Sequence, residues 1–150
     1  MAQSEPPEAL LGQAHRYAGV LLGLRKTDPL SLAAAVRGGF KYRAIDRFAR
    51  ETDLPLSAVG DLIHIPGRTL VRRKSEGRLQ PEESDRLLRA SRIFGLAIDL
   101  FEGDRVAALQ WLSAPHRALG NEPPIELIQT DVGAREVEHL IGRLEHGVAV

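Results

Sequence analysis

Apolar residues recur at helical spacing along almost the whole chain. Leu10, Ala14, Ala18, Leu21 and Leu22 fall on one stripe, which predicts a helix from Pro7 to Leu24. Asp28-Pro29 breaks it. Ser31 is placed to cap a short helix over Leu32 to Val36, which Gly38-Gly39 ends. Phe40 to Arg50 reads as the next helix, with Ile45, Phe48 and Ala49 on its inward side. Leu54-Pro55-Leu56 is a turn, and Ser57 is expected to cap a short helix through Leu62 and Ile63. Ile65-Pro66-Gly67 is a further break, with Pro66 at the first position of a helix that runs to about Lys74 and stops before Gly77. Two short helices around a turn of about three residues have helix-turn-helix spacing.

The second half repeats the pattern with longer elements. Pro81-Glu82-Glu83 opens the longest helix, its acidic residues in the first turn where the macrodipole favours them. Leu87, Ala90, Phe94, Ala97 and Phe101 carry its apolar face down to Gly103. Asp104 starts another helix, through Val106, Leu109, Trp111 and Leu112, which Pro115 ends. Residues 116–123 read as a loop. Pro124 starts a short helix and Thr130 caps the last one, whose apolar face is Val137, Leu140, Ile141 and Leu144 and whose stop is Gly147. The fold class is all-α: a helix-turn-helix domain over residues 1–80, then a small helical domain over 81–150, joined by the long helix.

Composition sharpens this picture in two ways. The chain has no cysteine, which removes disulfides, thiolate-held zinc and thiol catalysis, and which suits a reducing cytoplasm. Its longest early apolar stretch, Ala18 to Leu24, is too short to span a bilayer, and no basic leader precedes it, so neither a membrane nor a signal peptide is expected. The net charge of zero hides an asymmetry. Residues 1–80 hold 13 Lys and Arg against 8 Asp and Glu, and residues 81–150 hold 7 against 12, so the halves carry +5 and −5. A basic half suits a polyanion; an acidic half suits a basic protein surface, or plain solvent.

Candidate chemistry is confined to a few places. The helix after Pro66 carries Arg68, Thr69, Arg72, Arg73 and Lys74. With Leu70 facing the core, Arg68, Thr69, Arg72 and Arg73 are expected to face outward. Arginine matches guanine O6 and N7, and both Arg and Thr reach phosphates. The same residues also make an ordinary solvated basic face. Arg43, Arg47 and Arg50 share one face of their helix and serve either phosphate or solubility. His139 and His146 lie two turns apart, about 10 Å of rise, too far to ligate one metal. His116 lies in a loop without a carboxylate at useful spacing, and His15 and His64 stand alone. No catalytic residue, metal site or cofactor is assigned: no nucleophile elbow, phosphate loop, zinc-protease helix or paired carboxylate is present. Trp111, the single tryptophan, is expected to be a core anchor between the long helix and the last helix.

Two blocks carry a resemblance. The first runs Arg68-Thr69-Leu70, Arg72-Arg73, Leu79 and Glu83-Ser84-Asp85-Arg86-Leu87. The second runs Trp111-Leu112-Ser113-Ala114-Pro115, Leu119-Gly120, Pro124-Ile125-Glu126-Leu127-Ile128, Thr130, Gly133, Val137, Leu140, Leu144 and His146-Gly147. Together, over residues 40–147 and most specifically over 109–147, they resemble the Xre/MbcA/ParS antitoxins, in which an Xre-like helix-turn-helix precedes a toxin-binding domain. The resemblance implies an antitoxin of a type II toxin–antitoxin module, with a cognate toxin of the RES type that degrades NAD. It implies steric neutralisation, with Glu145, His146, Gly147, Val148, Ala149 and Val150 reaching the toxin's active site. It implies autorepression at operator double-stranded DNA by a homodimer. The competing readings are a stand-alone helix-turn-helix regulator without a toxin, and a small helical enzyme, for which no reactive constellation is found.

Overall fold

The computed structural model of the chain describes residues 7–147. Among these, the elements in order are α1 (Pro7–Leu22), α2 (Pro29–Gly38), α3 (Arg43–Thr52), α4 (Leu56–Leu62), α5 (Gly67–Glu76), α6 (Pro81–Leu100), α7 (Arg105–Ser113), a 3-10 turn (Arg117–Leu119), α8 (Pro124–Leu127) and α9 (Asp131–Glu145). The fold is all-α. Two isolated bridges, Lys41 with Arg78 and His116 with Glu122, are the only β-type pairing among the described residues.

The ends of these helices follow local chemistry, with four differences from the sequence expectations, the smallest being that Pro66 caps α5 and Gly67 begins it. Asp28, not Ser31, caps α2: its carboxylate accepts the Ser31 N–H at 3.1 Å, and Pro29 begins the helix instead of breaking the chain. Pro55 stands at the cap of α4, so Ser57 lies inside that helix. Phe40 to Tyr42 precede α3 instead of belonging to it, because the Phe40 carbonyl accepts the Leu79 N–H and the Tyr42 N–H donates to Gly77. The cap of α6 is a reciprocal capping box between Gln80 and Glu83. Asp104 and Thr130 cap α7 and α9, accepting from the Ala107 and Gly133 N–H groups as their positions suggest.

The long helix α6 is the axis of the molecule. It packs against α1, α2, α3, α7 and α9, and eleven of its residues, Leu87, Ile93, Phe94 and Leu96 among them, are buried. Phe94 meets Phe48 of α3 edge to face, with ring centroids 5.3 Å apart. One continuous core therefore runs from Ala14 in α1 to Ile141 in α9. Helix α1 packs on α6 and α3, so the N-terminal segment belongs to the same core as both halves. Arg47 Nε donates to the Val20 carbonyl at 2.9 Å and fastens α3 to α1, which removes Arg47 from any three-arginine face with Arg43 and Arg50.

Candidate nucleic-acid interface and C-terminal partner surface

The α4–α5 pair is built around a tight turn. Ile63 and Ile65 are buried in it, His64 takes a left-handed φ of 55°, and the Ile65 N–H closes onto Gly60 at 2.8 Å. Gly60 permits this closeness. A Cβ there would sit 2.9 Å from the Ile65 carbonyl oxygen and 2.8 Å from Leu70 Cδ1. Leu70 packs inward from α5, and Gly77 ends that helix. Beyond it, Leu79 donates to Phe40 at 2.8 Å, and the Phe40 N–H donates to the buried Ser84 hydroxyl at 2.8 Å. The segment before α3 thus holds both the end of α5 and the start of α6.

Arg73 does not face outward. It is 8% exposed, and its Nε donates to Glu83 Oε1 at 2.7 Å. A second nitrogen lies 3.4 Å from Glu76. The same Glu83 oxygen accepts the Gln80 N–H at 2.7 Å, so one carboxylate caps α6 and anchors α5 to it. Burial alone would raise the Glu83 pKa. The Arg73 and Gln80 hydrogen bonds and the Arg73 and Arg86 charges outweigh that and hold it below the ordinary glutamate value. The physical reason for the correction lies in the helix period: Arg73 is three residues after Leu70, on the same face, and a buried position there admits arginine only with a carboxylate opposite.

Three of the five basic-helix residues are then exposed. Arg68, Arg72 and Lys74 reach solvent, Thr69 is half-buried, and Arg73 belongs to the scaffold. Arg72 lies 3.9 Å from Glu76 in a pair open to water, which leaves its guanidinium available. The outward row of α5 is Arg68, Val71, Arg72 and Ser75. Lys41, Arg43 and Arg78 line one cleft between α2 and α3, where the Arg78 guanidinium donates to the Gly39 carbonyl at 2.6 Å. The exposed arginines give the outward face of α5 a positive charge.

The C-terminal half is held by close contacts of backbone. Gly133 is where α9 meets the end of α8: a Cβ there would collide with the Leu127 carbonyl oxygen. Trp111 packs against the core but is not enclosed by it. Leu112 is fully buried, whereas Trp111 is half-buried and lies over the His116 ring, with centroids 4.6 Å apart. His116 Nε2 lies 2.7 Å from the Trp111 carbonyl oxygen, so the ring pair closes the loop after α7. Glu145 and His146 are half-buried at the end of α9, and Gly147 is exposed. Val148, Ala149 and Val150 lie outside the described residues. Among the described residues, no group of three or more His, Asp or Glu gathers as a metal site, and no helix is long and apolar enough to cross a membrane.

A model of the antitoxin Xre-like helix-turn-helix domain matches residues 31–92, and one of the antitoxin Xre/MbcA/ParS C-terminal toxin-binding domain matches residues 96–147. A protein named antitoxin Xre from Yersinia enterocolitica is 40% identical over 128 residues, covering 85% of this chain and 86% of its own. The chain belongs to the Xre antitoxin family. A Photorhabdus laumondii protein of the same name is 42% identical over 93 residues, which is 59% of this chain and 63% of that one. A third, from Pseudomonas putida, is 33% identical over 84 residues, 55% of this chain and 52% of that one.

Family membership makes this chain an antitoxin of a toxin–antitoxin system, with a helix-turn-helix domain followed by a toxin-binding domain. The geometry explains why some residues of its two motif blocks stand where they do. Glu83 and Ser84 serve the junction of α5 and α6, and Thr130 and Gly133 serve the turn into α9. Sequence reasoning missed the Arg73–Glu83 pair, although Glu83 was visible as a first-turn acid ten residues downstream. It also passed over Val71, which is 72% exposed in the middle of the outward face of α5.

Proposed function

We propose that this antitoxin neutralises a RES-type, NAD-degrading toxin in the cytoplasm and represses its own operon as a homodimer. The observation that carries the DNA-binding part is the exposed row through Arg68 and Arg72. It lies on a helix whose opposite side is pinned to α6 by the buried Arg73–Glu83 pair. Arg68, Arg72 and Lys74, with Thr69 at the flank, meet operator duplex, and a dimer sets two such helices about 34 Å apart, one turn of DNA. The unit to residue 80 faces DNA. The unit from 81 onward, with its charge of −5, faces the toxin.

Neutralisation is steric and needs no catalysis by the antitoxin. The C-terminal domain covers the toxin, and Glu145 to Val150 approach its substrate entrance; a carboxylate-bearing segment suits a pocket built for an anionic substrate. The test is co-expression with the product of the adjoining gene, following growth rescue, co-purification and binding to the promoter duplex. A chain shortened after Gly147 is expected to keep promoter binding and complex formation but to lose rescue. Full rescue by the shortened chain would refute the plug and leave occlusion by the helical surface. Promoter binding with no captured toxin would instead support a stand-alone regulator.

A further inference from the structure

We propose that Val71 reads a thymine methyl group in the operator, beside a guanine contacted by Arg68 or Arg72. This rests on the DNA-binding reading of α4–α5 and adds to it what the helix recognises. Val71 is the exposed large apolar side chain of α5, and it stands between two exposed arginines of the outward row. A β-branched residue there serves neither helix propensity nor hydration. It has no donor or acceptor, so it is blind to the hydrogen-bonding edges of the bases. The one apolar feature on the floor of the major groove is the thymine methyl.

The spacing fits adjacent base pairs. From Arg68 to Val71 the helix rises about 4.5 Å, against about 3.4 Å for one base step along a strand. Arg68 and Val71 are i,i+3 neighbours on the outward face, so their contacts fall one to two base steps apart. Arg72 is held only by its solvent-exposed pair with Glu76, which yields readily to guanine O6 and N7. The buried Arg73–Glu83 bond on the far side fixes the roll of α5, so the direction of Val71 is set before DNA arrives.

The experiment uses the full chain and a random-sequence duplex pool. Sites selected by the wild type and by Val71→Ala are compared, and the best wild-type duplex is then remade with deoxyuridine at the chosen thymine. The wild type is expected to select thymine at one position of each half-site and to lose roughly fourfold in affinity on removal of that methyl, the effect of burying one methyl group. Val71→Ala is expected to fold normally by melting, to lose the thymine preference, and to be indifferent to deoxyuridine. If the wild type selects a motif that Val71→Ala selects unchanged, the assignment of Val71 is overturned while DNA binding stands. If Val71→Ala weakens binding equally for every sequence, Val71 is not a reader. If no motif emerges and Arg68→Ala and Arg72→Ala leave binding unchanged, the DNA-binding reading of α5 itself falls, and this proposal with it.

Discussion

Replacing Arg73 by alanine separates a scaffold role from a DNA contact. The substitution leaves Glu83 buried at the junction of α5 and α6, with the Gln80 N–H as its remaining close donor. Removing one partner of a buried pair costs about 3–5 kcal/mol. The low end applies here, because the Gln80 hydrogen bond survives. For a chain of this size about 3 kcal/mol lowers Tm by roughly 6–12 °C. The pH dependence has a definite sign. The folded-state pKa of Glu83 lies below its unfolded value, so its contribution is complete above the ordinary glutamate range and is lost as pH falls through the folded value. Arg73→Ala is therefore expected to melt early at pH 7 and to lose less additional stability than wild type between pH 5 and 3. The double variant Arg73→Met/Glu83→Gln is expected to be more stable than the sum of its single changes, by about 1–3 kcal/mol of coupling. Thermal and urea melts across pH measure both. A Tm within a degree of wild type, together with a salt slope of DNA binding reduced by about one, would refute the buried-pair reasoning and return Arg73 to the DNA.

Arg72→Ala is expected to leave Tm nearly unchanged and to weaken operator binding. The loss is about 1–3 kcal/mol if the contact is to a base, or a salt slope smaller by about one if it is to a phosphate; titrations across salt distinguish them. Trp111→Ala is expected to cost about 2 kcal/mol in urea melts, less than the roughly 3–5 of a fully buried aromatic, because the side chain is only partly buried. Gly133→Ala is expected to destabilise by about 1–3 kcal/mol, read in the same melts, because its Cβ meets the Leu127 carbonyl. His15 is buried beside Arg92; desolvation first and the Arg92 charge second lower its pKa. Its unfolded form therefore binds the proton more readily, and stability is lost as pH falls from about 6.5 through the folded value. His15→Leu is expected to flatten Tm between pH 7 and 5, and an unchanged slope would exclude His15 as its source.

Local chemistry made most of the architecture legible in the chain. The period of the apolar residues, the Pro-Glu-Glu start of α6, the Asp104 and Thr130 caps and the break around Pro66 act over a few residues, so they survive in one dimension. The helix-turn-helix and the toxin-binding motif blocks were legible as well, and family models match them over residues 31–92 and 96–147. The differences arose where two local options competed, and in one of them a distant partner chose. Asp28 or Ser31 could cap α2, and Phe40 could begin a helix or pair with Leu79; the second partner, far away in sequence, decided the latter. Arg73 is the sharpest case. A basic run on a short helix reads as a surface, and only the approach of Glu83 from α6 makes one of its arginines internal. Trp111 shows the converse, since an indole reads as core until the loop folds His116 onto it and Leu112 takes the buried position. Tertiary structure decided which side chains are spent on holding α5 in place and which remain free to meet DNA, because that choice depends on the groups each one faces across the fold.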